Sequence, residues 1–227
     1  MVEQTAFRTS LDADELAIFV ERMLDNLIPD GQVGAYSLQA HVVEALARTE
    51  HCFRSIHRKY YNFGGIVEFN HLNSDHLAAF LYFLGNSCWK STGDTVVPTK
   101  LFYLNKILNG LDLYFSVSLP SVFLLVHPVG TVIGNANYGD YLVVYQNCTI
   151  GADKGVYPTF GDGVILFSRS SVLGDSRVGA NVVFGANSFV VNAKVPANSI
   201  VVGQYPEHRV LPNPQTVRNR LFDSAAD

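Results

Sequence analysis

Up to about residue 110, apolar positions recur every three or four residues, the spacing of amphipathic helices. In LDADELAIFVERMLDNLI, residues Leu16, Phe19, Val20, Met23, Leu24 and Leu27 form one stripe, and Asp12 with Glu15 predicts a capping box at its start. The helix is expected to stop at Pro29-Asp30-Gly31, and a second to run from Leu38 to Tyr60 with Val42, Val43, Leu46 and Ala47 on one face. Ser74 and Asp75 stand where an N-cap belongs before HLAAFLYFLGNSCWK, and Thr99 is the expected cap of KLFYLNKILNG, which ends at Gly110.

Beyond Gly110 the period changes to six. Phe160, Leu166, Val172, Val178, Phe184 and Val190 follow one another at that interval, with Val164, Ser170, Ser176, Val182 and Ser188 two positions before each later member. Upstream, Val126, Val132, Tyr138, Val144 and Ile150 keep the interval, with Gly130, Ala136, Leu142 and Cys148 in the smaller slot. The two runs are out of phase by four residues, and the turn-rich segment ADKGVYPT, Ala152 to Thr159, accounts for the shift as a loop that leaves the regular coil. A hexapeptide period predicts short parallel strands joined by tight turns, three to a triangular coil, stacked into a β-solenoid of roughly four to five coils from Leu119 to Val202. The expected organisation is α+β: residues 1–110 helical, residues 111–211 a parallel β-helix, and residues 212–227 a C-terminal tail.

Composition narrows the function. Hydrophobic residues make up 48% and charged ones 16% of 227 residues, which argues for a folded core. The formal charge of −4 and the lack of any dense Lys/Arg stretch argue against nucleic-acid or anionic-membrane partners. No apolar run has the length of a membrane span, and the N-terminus has acids where a signal peptide needs bases, so a cytoplasmic protein is expected. Three cysteines without CxxC spacing read as reduced thiols. No GxGxxG or P-loop spacing supports nucleotide chemistry.

The segment LVHPVGTVIGNA, Leu125 to Ala136, resembles the stretch of hexapeptide-repeat serine acetyltransferases in which the catalytic histidine is followed by glycines at +3 and +7, here His127, Gly130 and Gly134. VYQNCTIGA and VPANSIVVGQYPEHRVL are similar to the family's approach to its protruding loop and to its closing coil. The resemblance covers Asp112 to Val210 well and the helical part only in general plan. It implies a left-handed β-helix, acetyl-CoA as co-substrate without a metal, a small hydroxyl-bearing acceptor, and a homotrimer or dimer of trimers with sites between subunits.

Acyl transfer from a thioester to an alcohol needs a base near neutral pKa, and a histidine oriented through its second nitrogen by a carboxylate meets that need. The family pairs its histidine with an aspartate fifteen residues earlier, which here is Asp112. The alternative is a corner residue before Pro128 and a turn residue after Gly110. His127 is the sole solenoid histidine before His208, which argues against a three-histidine metal solenoid of the γ-carbonic anhydrase type. The resemblance further implies a track for the donor along LFSRSSVLG and FGANS, with Ser168, Arg169, Gly185 and Ala186 as its contacts and Arg209 near the adenine end; both arginines can equally be solvated surface. A catalytically silent solenoid scaffold is the competing class.

Two departures concern the acceptor and the partner. The family's loop carries Arg-His-Pro, which helps hold a substrate carboxylate, whereas this chain has Val156-Tyr157-Pro158, so free serine is expected to bind weakly at Tyr157. A serine-like acceptor is the first expectation and a sugar unit of a surface polysaccharide the second. The cluster His71, Asp75 and His76 admits a metal site, a helix cap, or, as the resemblance implies, contact with the acceptor through Asp75 and His76. The C-terminal LFDSAAD lacks the isoleucine by which the family engages the next enzyme of cysteine synthesis, so that partnership is not expected.

Overall fold

The computed structural model describes residues 6–30 and 37–222. Strand β1 (Ala6–Thr9) leads to helix α1 (Ala13–Leu27), whose capping box is formed by Asp12 and Glu15 as expected. Leu16, Val20 and Leu24 are buried. Helix α2 is Gln39–Arg54, six residues shorter at its C-terminus than the apolar pattern suggested. The chain turns at Ser55 and Ile56 and enters a hairpin of β2 (Asn62–Phe63) and β3 (Ile66–Phe69). Gly64 and Gly65 both have positive φ (59° and 76°), as a two-residue hairpin turn requires. β1 pairs parallel with β3, so a three-stranded sheet lies within the part read as purely helical. Its strands of two to four residues are too short to leave a periodic signal.

Helix α3 (Ser74–Thr92) is capped by Asn73, whose side chain accepts from Asp75 N and His76 N, and not by Ser74 or Asp75. Helix α4 (Val96–Asn109) begins before Thr99, with Asp94 accepting from Val96 N and Val97 N, and ends at Gly110 in the left-handed region.

The solenoid follows: β4 (Asp112–Leu113), β5 (Phe123–Val126), β6 (Val132–Ile133), β7 (Leu142–Tyr145), β8 (Thr149–Gly151), β9 (Thr159–Phe160), β10 (Val164–Leu166), β11 (Ser171–Leu173), β12 (Arg177–Val178), β13 (Val182–Phe184), β14 (Phe189–Val191), β15 (Lys194–Val195) and β16 (Ser199–Val202). They stack in parallel as three faces, β5-β7-β10-β13-β16, β4-β6-β8-β11-β14 and β9-β12-β15. This is a left-handed parallel β-helix of about five turns. β17 (Arg209–Pro212) closes the first face antiparallel to β16.

The six-residue rows point inward from Tyr138 onward, and Phe160, Leu166, Val172, Val178, Phe184 and Val190 are all buried. In the first coil the phase slips by one residue in each strand. Register pairs Leu125 with Val144 and Ile133 with Ile150, so Leu125 and Ile133 are buried while Val132 is 40% exposed and Val126 partly so. The corner after β5 is longer than the later ones, and both strands are apolar on either side of the slip, so the pattern was ambiguous there. Thr131, not Gly130, therefore fills the small slot.

Those slots carry hydrogen bonds between coils. Thr131 Oγ1 donates to Tyr145 O, Cys148 Sγ to Phe167 O, Ser170 Oγ to Gly185 O and Ser188 Oγ to Val201 O. These four carbonyls thus find a partner, which removes the penalty of an orphaned acceptor at each of them.

The expected C-terminal tail is, over its described part, a packed strap; residues 223–227 of the LFDSAAD segment lie outside the described residues. Asn213 N donates to Asn198 O, Val217 N to Asn181 Oδ1, and a short helix α5 (Val217–Leu221) runs along the outer side of the first face. Phe222 bridges Ile56 and lies edge-on to Tyr141, while His57 N donates to Leu221 O. Val217, Leu221 and Phe222 are buried, and each such side chain contributes about 1.5–3 kcal/mol on burial. The outward row Leu124, Val143, Ile165 and Val183 is buried as well, and one hydrophobic core runs through helices and solenoid together. No helix among the described residues is long and apolar enough to cross a membrane.

Candidate active site

His127 follows β5 at the first corner of the solenoid, with φ of 46° and its side chain 76% exposed. The strand must turn there, and Pro128 is buried beneath the turn. The glycines of the motif have steric causes. Gly130 has φ of 72°, and a Cβ on it would lie 2.4 Å from Asn147 Oδ1. Gly134 has ordinary φ, but a Cβ there would lie 2.7 Å from Tyr157 Cε1 and 2.8 Å from the Ile150 carbonyl oxygen.

The carboxylate beside His127 comes from the helical part. Asp75 Oδ1 accepts the His127 backbone N–H at 3.1 Å, and Asp75 Oδ2 stands 3.5 Å from His127 Nδ1. Asp75 is itself buried, in the first turn of α3. Asp112 does not meet His127: it pairs with Lys106 Nζ at 2.7 Å, and its strand lies against Val132. Its register partner Val132 lies five residues beyond His127.

His76 points the other way from Asp75. Its ring packs against Phe53 and Tyr61 at 4.8 and 4.5 Å, and Nδ1 accepts from Asn70 N. Burial lowers its pKa to about 4, with the Tyr60 carbonyl opposing. It is a core residue, not an acceptor contact. His71 instead bonds Ser10 Oγ at 2.8 Å and meets Phe19 edge-on, so His71, Asp75 and His76 diverge. Among the described residues no three His, Cys, Asp or Glu side chains cluster as a metal site.

Tyr157 lies between β8 and β9, whereas His127 lies between β5 and β6, so the two occupy different corners of one chain. Tyr157 is 40% exposed and closes over Gly134. The loop before it is a tight turn, Asp153 bridging Val156, with Lys154 and Gly155 at positive φ.

Four of the expected donor contacts share the His127 edge. Asn147 N donates to Val129 O, Arg169 N to Gln146 O and Asn187 N to Ser168 O, which stacks these corners coil upon coil. Gly130, Asn147, Arg169 and Asn187 all take positive φ. Arg169 does so without the tolerance of Gly or Asn, at a cost of about 1–2 kcal/mol. Gly185 and Ala186 lie one coil further on, and Arg209, exposed in β17 opposite Val202, stands at the far end.

Arg58 borders the site from the helical side. Its Nη2 donates to Tyr145 Oη at 3.4 Å, and Tyr145 is the register neighbour of Val126. Burial, then the Asp75 carboxylate, pushes the Tyr61 hydroxyl well above its usual pKa while Arg58 opposes. Sequence reasoning passed over Arg58, which lies in a segment it read as helix.

No protein-family profile matches the chain. A curated serine acetyltransferase of Synechococcus elongatus is 34% identical over 113 residues, 48% of this chain and 46% of that one. In sequence, about half of the chain is like a serine acetyltransferase. The chain spans about half the length of the curated relatives it matches. The crystal structure of Neisseria gonorrhoeae serine acetyltransferase superposes with a TM-score of 0.69 at 21% identity, over 90% of this chain and 80% of that one. A serine acetyltransferase solved in complex with CoA gives 0.64 at 18%, over 88% and 84%. At these identities the structures speak for the fold: helices followed by the β-helix.

Proposed function

We propose that the chain transfers an acetyl group from acetyl-CoA to the hydroxyl of a small acceptor, with His127 as general base and Asp75 as its orienting carboxylate. The observation that carries this reading is an exposed histidine at a solenoid corner whose Nδ1 faces a buried carboxylate, in a chain similar to serine acetyltransferases. Asp75 favours the tautomer with the proton on Nδ1, which leaves the Nε2 lone pair free toward solvent. His127 then takes the acceptor's hydroxyl proton as the oxygen attacks the thioester carbonyl. The C–S bond breaks, and the imidazolium returns the proton to the leaving thiolate. Asp75 stabilises the imidazolium in between.

The residues of the edge fit the donor. Gly185 and Ala186 carry no side chain beyond a methyl, and Arg169 has no carboxylate partner among the described residues, so its charge is available to a phosphate. Ser168, Arg169, Gly185 and Ala186 line the donor's path in this reading, and Arg209 meets its far end. Tyr157 reaches the acceptor from a neighbouring copy in a trimer, since it occupies a different corner from His127 in its own chain. A sugar acceptor is the second reading, favoured by the neutral Tyr157 in the loop.

Release of free thiol from acetyl-CoA across a panel of serine, amino alcohols and amino sugars tests the assignment. His127→Ala should lower turnover by roughly 10² to 10⁴. Near-full turnover in that variant would remove His127 from the chemistry.

A further inference from the structure

We propose that Arg58 binds a negatively charged group on the acceptor, and so selects acceptors that carry a carboxylate or a phosphate beside their hydroxyl. This rests on the reading of His127 as the transfer base.

The position is the first argument. Tyr145 lies directly against Val126, the residue before His127, and the Arg58 guanidinium is held on the Tyr145 hydroxyl. Neighbouring strands are about 4.8 Å apart, so Arg58 acts one coil from the base. Arg58 belongs to the helical part of the chain, as Asp75 does, whereas the expected donor contacts sit on later coils of the solenoid. A small acceptor with its hydroxyl at His127 extends from there, and the Tyr145 side chain that holds the guanidinium stands beside the strand end leading into His127.

Its charge is the second. Arg58 is exposed, and the one hydrogen-bond partner of its guanidinium among the described residues is a neutral phenol. Among the described residues no carboxylate pairs with it, although acids outnumber bases in the chain by 20 to 16. A guanidinium keeps most of its five donors free in this arrangement and matches a carboxylate or phosphate in fork geometry.

Its anchoring is the third. The Arg58 carbonyl accepts from Tyr61 N and Asn62 N, and Arg58 N donates to Ile56 O. Ile56 is fully buried and bridged to Phe222 of the strap. The backbone that carries the guanidinium is therefore fixed, and less conformational entropy is lost when the side chain takes a ligand. A second cation extends the row: Tyr145 packs on Phe167 at 5.0 Å, and Arg220 lies over the Phe167 ring at 5.5 Å. The cationic function that Val156-Tyr157-Pro158 lacks is in this way supplied from the helical part of the same chain.

The test uses two acceptor pairs that differ in negative charge, L-serine with L-serinamide and glucosamine 6-phosphate with glucosamine. Each is titrated calorimetrically into the full chain and assayed by thiol release, for the wild type, Arg58→Gln and Arg58→Lys. In at least one pair the charged member should bind about 10- to 100-fold more tightly in the wild type. Arg58→Gln should erase that preference through KM with little change in kcat, and Arg58→Lys should restore part of it. The pair that responds tells carboxylate from phosphate. A preference that survives in Arg58→Gln, or no preference for charge in the wild type, overturns the inference. Charge-selective binding that depends on Arg58 without any acetyl transfer would uphold it and overturn the reading of His127.

Discussion

Asp75 and His127 are joined twice, by the His127 backbone N–H on Oδ1 at 3.1 Å and by the ring Nδ1 facing Oδ2 at 3.5 Å. The first contact sets the corner and the second faces the ring, so one carboxylate meets both the backbone and the imidazole of His127. Asp75→Asn keeps an acceptor for the backbone but can present an N–H to the ring and turn it over. Turnover should fall by tenfold or more with little loss of thermal stability, whereas Asp112→Asn should leave turnover within about twofold. Steady-state kinetics with melting curves for both variants checks this, and the reverse order of damage would return the orienting role to Asp112.

Gly134 is set against two neighbours of different stiffness. A methyl there meets the Tyr157 ring, which can move, and the Ile150 carbonyl, which is held in the parallel ladder. Gly134→Ala should destabilise the chain by about 1–3 kcal/mol, and adding Tyr157→Ala should recover only part of that. Denaturant unfolding of the single and double variants measures it; full recovery would mean that the carbonyl contact is not limiting.

His76 predicts a pH dependence of stability. Burial lowers its pKa from 6.5 to about 4, so between those values the unfolded chain binds the proton and the folded chain does not. The contribution is intact above about pH 6.5 and is lost as pH falls toward 4, amounting to about 3 kcal/mol in all. Urea midpoints between pH 7.5 and 4.5 should fall accordingly, and His76→Phe should flatten the slope while keeping the ring packing.

The thiols should be inert in the native state. Cys52 and Cys88 are buried and pushed up to about 12, chiefly by desolvation, and Cys148 is raised for the same reason. A colourless-to-coloured thiol reagent should count three cysteines in denaturant and almost none within minutes in buffer. Rapid native reaction of one thiol would show that its surroundings open.

The solenoid was legible because its inward rows are bulky and evenly spaced from Tyr138 to Val190 apart from one loop. What the chain did not disclose were relationships that no period encodes. Leu125 and Val126 are both apolar, so only strand pairing decides which faces the core. Asp75 and His127 are 52 residues apart and meet because the start of α3 docks at a solenoid corner. Arg58 was hidden for another reason: the apolar spacing of α2 continues past Arg54 although the chain has already turned at Ile56. The motif glycines, by contrast, were recognised by position and acquire a cause only when Asn147, Ile150 and Tyr157 are in place.

The strap changes how such a molecule comes apart. A stack of coils touching only its neighbours can fray from its free end, one coil at a time, as a linear array. Here Asn213 is bonded beside Asn198 in the last coils and Phe222 is bridged to Ile56 behind the first, so the polypeptide returns along its own length and binds top to bottom. Peeling the final coil then means pulling the strap from Tyr141 and Phe167 as well, and with it the support beneath the turn that carries Arg58. The array behaves as a hoop, and its unfolding should be one cooperative event rather than a succession of small ones.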